Sequence, residues 1–233
     1  MDNDAIAGAG DTAVGSRRLT PEEIAELQMA TTILRTIASK INSLGAAPTL
    51  RNRISGALYH LAFEHCGSLI KLVRWGRKGS AMAMVRPAFE SYMRATWVHY
   101  CAPDDLLEGI TDNTQKFPSN GTMASAISSV KSCEAHGIIT AINNFFPADI
   151  RHGLTHGGIE QIAARLDGQK IRPNFYPEAI VGTLRATVGI AAGSAMGMAR
   201  QCGREDLAEE VATVLLRAIR SSIHGASSAD KGD

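Results

Sequence analysis

The chain lacks paired cysteines: Cys66, Cys101, Cys133 and Cys202 lie far apart with no C-x-x-C among them. That pattern fits neither a disulfide framework nor a zinc knuckle, and predicts free thiols in a reducing cytoplasm. A charge surplus is missing too. Lys+Arg of 24 against Asp+Glu of 23 leaves a formal charge of +1, so the basic footprint of a protein that coats DNA or RNA is absent and any nucleic-acid contact has to be local. The start, MDNDAIAGAGDTAVGSRR, carries acidic residues where an export signal has basic ones, and has no continuous apolar core. The longest apolar stretch, ATVGIAAGSAMGMA from Ala186 to Ala199, falls short of the ~20 residues of a membrane-spanning helix. These absences predict a cytoplasmic protein with no membrane partner.

Chemical signatures are missing as well. There is no G-x-x-x-x-G-K-S/T loop, no G-x-S-x-G elbow and no G-x-G-x-x-G, which disfavours the common nucleotide, hydrolase and dinucleotide folds. No Glu-x-x-His occurs, so the helical di-metal arrangement is without its repeated element. His60 and Glu64 share a helix face but stand alone as a metal pair. No cofactor and no metal is expected. Strand alternation bounded by hairpin turns is not seen either, nor is an internal repeat.

What is present is helical. The chain has 233 residues, 45% of them hydrophobic, enough for a buried core. Residues 1–18 show no apolar period and read as a disordered lead. Order begins at LTPEEIAEL, where Thr20, Pro21 and Glu23 form a capping box for a helix running to about Leu44. A second helix starts near Thr49 and ends at Trp75-Gly76; a third carries Met84 to Tyr100, with Pro87 inside it as a bend or a break. Shorter helices are expected from Asp104, over Met123–Ala135 and over Ile138–Phe146, with loops at TQKFPSNGT and DGQKIRPNFYPE. A long helix over 178–201 repeats Gly189, Gly193 and Gly197, a spacing for close backbone approach to a neighbouring helix. A last helix covers Glu205–Ile219, and residues 221–233 read as a tail. The expectation is all-α: a single up-and-down helical bundle over 19–220 with a kinked middle helix.

Three constellations could carry chemistry. In RHGLTHGG, His152 and His156 are four apart and share a helix face, while Arg151 and His156 diverge by ~140° on an ideal helix. An arginine suited to phosphate oxygens beside proton-exchanging histidines fits phosphodiester chemistry without a metal. The same residues also describe a helix end: His156 is favoured by the dipole, and Gly157-Gly158 suits a left-handed cap. In VRPAFESYMRATW, Arg86 and Glu90 are spaced to pair, with Tyr92 and Arg94 nearby. In LYHLAFEHC, His60 and His65 fit ordinary packed or interfacial histidines.

Arg151 followed by four residues and His156 resembles the R-x(4–6)-H signature of the HEPN superfamily. The wider pattern, AMAMVRPAFESYMRATWVHY followed by THGGIEQIAARLDGQKIRPNFYPE, is similar to a bacterial group of HEPN-like helical proteins. The resemblance spans roughly residues 50 to 200. It implies a helical bundle that pairs into a homodimer, and a metal-independent endoribonuclease of toxin–antitoxin or phage-defence type. RNA and an antitoxin-like protein are the partners it implies. His156 would be the general acid/base and Arg151 would stabilise charge on the phosphate, with His152 assisting or orienting and Arg86 and Glu90 in support. Many HEPN-like proteins are inactive; the alternative is a non-catalytic homodimeric interaction or nucleotide/RNA-binding module in which His156 is a structural cap.

Overall fold

Thr20 closes the first turn of the first helix from both sides. Its hydroxyl accepts from the Glu23 N–H at 3.2 Å, and the Glu23 carboxylate accepts from the Thr20 N–H at 2.7 Å. A computed structural model describes residues 18–229 apart from 43, 46, 47, 132, 134 and 172, with the backbone alone described over 220–229. Of the lead expected over 1–18, residues 1–17 lie outside the described residues.

The chain is an all-α helical bundle. Its order is α1 (Pro21–Ile41), α2 (Leu50–Arg74), α3 (Lys78–Ala83), α4 (Val85–Tyr100), α5 (Asp104–Thr111), α6 (Asn120–Ser128), α7 (Ala135–Phe145), α8 (Ala148–His156) and α9 (Ile159–Ala163), followed by a two-stranded hairpin β1 (Leu166–Asp167) and β2 (Lys170–Ile171), then α10 (Pro177–Gln201) and α11 (Glu205–Ala229). The hairpin replaces part of the loop expected at DGQKIRPNFYPE; strands of two residues are too short to show alternation. Helix α11 runs past Ile219 to Ala229, so residues 221–229 are helical where the sequence reading places a tail. Likewise α6 begins at Asn120 inside the expected loop, because the Ser119 hydroxyl accepts the Thr122 N–H at 3.2 Å and caps it.

Helix α10 is the axis of the bundle and packs on α1, α2, α4, α7 and α11. By length and composition it could cross a membrane, yet 78% of its most apolar window is buried within the bundle. Gly182, Gly193 and Gly197 admit rings rather than a neighbouring backbone, whereas a Cβ on Gly189 would make only ordinary contact with Ile138 at 3.9 Å. A Cβ on Gly193 would stand 2.6 Å from the Tyr92 hydroxyl oxygen, and one on Gly197 would stand 2.3 Å from the Tyr59 ring. Tyr59 on α2 and Tyr92 on α4, both almost wholly buried, therefore key into α10.

The third helical pattern is two pieces, α3 and α4, broken at Met84. Pro87 sits in the first turn of α4, where its missing N–H is no loss. It leaves the Ala83 carbonyl without its usual helical donor, and the Thr155 hydroxyl of α8 supplies one at 3.3 Å. The buried Gln161 of α9 donates to the Gly79 carbonyl at 2.9 Å and to the Leu154 carbonyl at 2.8 Å. The break in the middle helix is thus the seam to which α8 and α9 are stitched, and α8 carries RHGLTH.

Candidate functional site

Helix α8 is short and set at both ends. Pro147 precedes it, and Gly157 ends it in the left-handed conformation at φ +70°. The Gly158 N–H then reaches back to the Gly153 carbonyl at 2.7 Å. A Cβ on Gly158 would stand 2.6 Å from the Gly153 Cα, so the turn closes only with glycine there.

Two of its faces differ in kind. Arg151 points inward and is 4% exposed. Its guanidinium donates to the Phe146 carbonyl through Nη1 and to Asn143 Oδ1 through Nη2 at 3.0 Å, and lies over the Phe89 ring at 4.4 Å. Burial lowers its pKa from the usual range, with nearby Glu90 opposing that shift. Arg151 therefore ties α8 to the end of α7 and to α4. His152 and His156 point outward, and both are exposed. Their ring centroids are 4.6 Å apart at an interplanar angle of 48°.

The cation beside the histidines comes from α4. Arg86 Nη1 lies 2.6 Å from His152 Nδ1, and Arg86 Nε donates to Glu90 Oε1 at 2.7 Å. Glu90 also accepts from Asn120 Nδ2 at 3.4 Å and pairs with Arg94 at 3.6 Å. Burial alone would raise the Glu90 pKa, but the bond and charge of Arg86, aided by Asn120 and Arg94, hold it below the usual carboxylate value. Arg94 lies over Phe117 at 5.2 Å, and its Nε is buried without a partner.

The structure therefore brings together four of the five residues singled out in the sequence, Arg86, Glu90, His152 and His156, and turns Arg151 away from the last two. Asn120 and Phe117 join them from a segment that reads as a loop, and the S-N-G-T cap was the one sequence signal that could have placed Asn120. The third constellation stays apart. His60 and Glu64 are exposed on α2, and among the described residues no three His, Cys, Asp or Glu side chains meet in a way that could hold a metal ion. None of the four cysteines forms a disulfide, and burial pushes the Cys66 thiol pKa well up.

The arrangement offers an exposed imidazole, a second imidazole oriented by a guanidinium, and a carboxylate fixing that guanidinium. Such a set can exchange protons and meet an anion. No curated protein and no solved structure matches the chain. Residues 59–217 match the model of a family of unknown function, DUF6988, a span that holds α4, α6, α8 and every residue of this cluster. The match covers well over half of the sequence, and the chain belongs to the DUF6988 family.

Proposed function

We propose that this protein is a HEPN-like endoribonuclease that works without a metal, with His156 as the proton-transferring group. The observation that carries the reading is the exposed His152–His156 ring pair at 4.6 Å with Arg86 held against it. A neutral His156 takes the proton of a ribose 2′-hydroxyl as the 2′-oxygen attacks phosphorus. The P–O5′ bond breaks, His156 returns the proton to the leaving oxygen, and the products are a 2′,3′-cyclic phosphate and a 5′-hydroxyl. Arg86 takes the phosphate-stabilising role that the family resemblance assigns to Arg151. His152, with Nδ1 engaged by Arg86, carries its proton on Nε2 and offers a hydrogen bond rather than a base.

The same reading gives the protein a homodimeric form in the cytoplasm and a toxin–antitoxin or phage-defence setting with an antitoxin-like protein partner. Exposed Ile159, Ile162, Leu166 and Ile171, at 68, 50, 56 and 75%, follow directly after the His156 turn and supply apolar surface for a second copy. A second reading, a non-catalytic module in which His156 is only a cap, is favoured by the left-handed Gly157 and the Gly158–Gly153 bond.

Purified protein incubated with single-stranded RNA in EDTA separates the two. Cleavage by wild type, its loss in His156→Ala and retention of fold in that variant support the nuclease. Wild type and His156→Ala equally inert toward RNA would leave the cap reading in its place.

A further inference from the structure

We propose that the cleft between α1, α7, α10 and α11 binds a small hydrophobic amine, its ammonium group against the Glu26 carboxylate. The cleft has a volume of about 660 Å³, within the range of small-molecule sites. It shares no residue with the histidine cluster. Met29, Ile33, Ile138, Ile142, Val188 and Leu215 make its walls apolar. Its outer lip is Phe145, half-exposed, whose ring lies so close on Gly182 that a Cβ there would stand 1.8 Å from it.

The polar groups bordering the cleft point to the sign of the ligand. Among the described residues that line it, Glu22, Glu26 and Glu178 stand against one cation, Arg185. Glu26 is 6% exposed, and only its Oε2 is engaged, by Arg185 Nη2 at 3.1 Å and Nε at 3.2 Å. Its Oε1 is buried without a hydrogen-bond partner. A carboxylate kept among apolar side chains normally has every lone pair answered, so an unanswered oxygen on a residue that lines the cleft points to a donor the occupant of the cleft would bring. Arg185, with its side chain 55% exposed, leans to solvent and leaves that position unfilled. An ammonium on an apolar body satisfies the oxygen and fills the walls together; a carboxylate of the same length would meet three like charges.

Calorimetric titration with n-decylammonium, decanoate and decanol, each below its micelle concentration, tests this. One decylammonium is expected per chain, about tenfold tighter than decanoate. Glu26→Gln is expected to remove that preference while leaving decanol binding unchanged. Ala141→Trp, at an exposed lining position of α7, is expected to block all three with the fold intact by circular dichroism. Equal binding of ammonium and carboxylate, no binding at all, or binding retained in Ala141→Trp would overturn the proposal. So would a dimer in sedimentation that Ala141→Trp disperses, since the cleft would then seat a second copy.

Discussion

Arg86 reaches across from α4 to place Nη1 2.6 Å from Nδ1 of His152, a residue 66 positions later in the chain. A guanidinium is always protonated and has no acceptor, so Nδ1 must be the acceptor and the His152 proton must sit on Nε2. Proton-detected nitrogen NMR of the histidine rings is expected to show His152 as the Nε2–H tautomer, and Arg86→Ala to lose that preference. The same variant is expected to slow RNA cleavage by ~10²-fold while changing stability by less than ~1 kcal/mol, as the Arg86–Glu90 pair is partly exposed. A cleavage rate unmoved by Arg86→Ala would return the phosphate role to another cation.

Arg151 has the opposite balance. Its guanidinium is buried with two hydrogen bonds and an aromatic face beneath it. Arg151→Ala removes all three and strands the Phe146 carbonyl, at a cost on the order of 2–4 kcal/mol. Arg151→Lys keeps the charge but cannot serve both acceptors and stack at once, so it is expected to recover less than half of the loss. Urea unfolding measures both, and a loss below ~0.5 kcal/mol in Arg151→Ala would show that the contact does not hold α8.

Lys78 and Glu23 form a buried pair at 2.6 and 2.9 Å, with side chains 4% and 0% exposed. Removing one partner leaves the other with no opposite charge beside it in the core. Lys78→Met and Glu23→Gln are each expected to cost about 3–5 kcal/mol, and the double variant less than the sum. A double-mutant cycle by thermal unfolding gives the coupling; additive losses would mean the two side chains do not act as a pair.

His99 makes stability depend on pH. Burial chiefly, then the charges of Arg200 and Arg51, lower its pKa from the ordinary 6.5 to about 4. Its Nδ1 is buried without a partner. Because the unfolded chain binds this proton more readily than the folded one, stability is full above the unfolded value and falls as pH drops from about 6.5 towards 4. The loss is on the order of 3 kcal/mol at most. His99→Gln is expected to flatten this stretch of the stability–pH curve, read by denaturant melts from pH 7 to pH 4; an unchanged slope would put the pH dependence on other groups, the ion-paired Glu90 among them.

The local devices of the fold were legible in the sequence because they are local. Thr20-Pro21-Glu23 states its own capping box, Thr49 caps α2 by accepting the Asn52 N–H at 3.1 Å, and the four-residue gap of Arg86 and Glu90 becomes an ion pair. His152 and His156 share a face for the same reason. Which face of α8 turns inward is not a property of nine residues. Arg151 looks like the solvent-facing cation of RHGLTH, yet Phe89, on the sequence-distant α4, and Asn143, on the preceding α7, provide a socket that outweighs its exposure preference. The Arg86–His152 bond depends on where the break at Met84 aims α4, and a proline signals a break without its direction.

Tyr59 and Tyr92 seat their rings in the notches at Gly197 and Gly193, and the register of α10 against α2 and α4 follows from that. Helix α10 cannot slide by a residue or turn about its axis without withdrawing both rings from the core. Motion in this molecule is therefore left to what lies on either side of that locked trio: α8 and α9 along their seam with α3, and α7 and α11 around the cleft. The two flanks meet around that frame rather than through it, because Arg151 of α8 is bonded to Asn143 and Phe146 at the end of α7, the helix whose Phe145 borders the cleft.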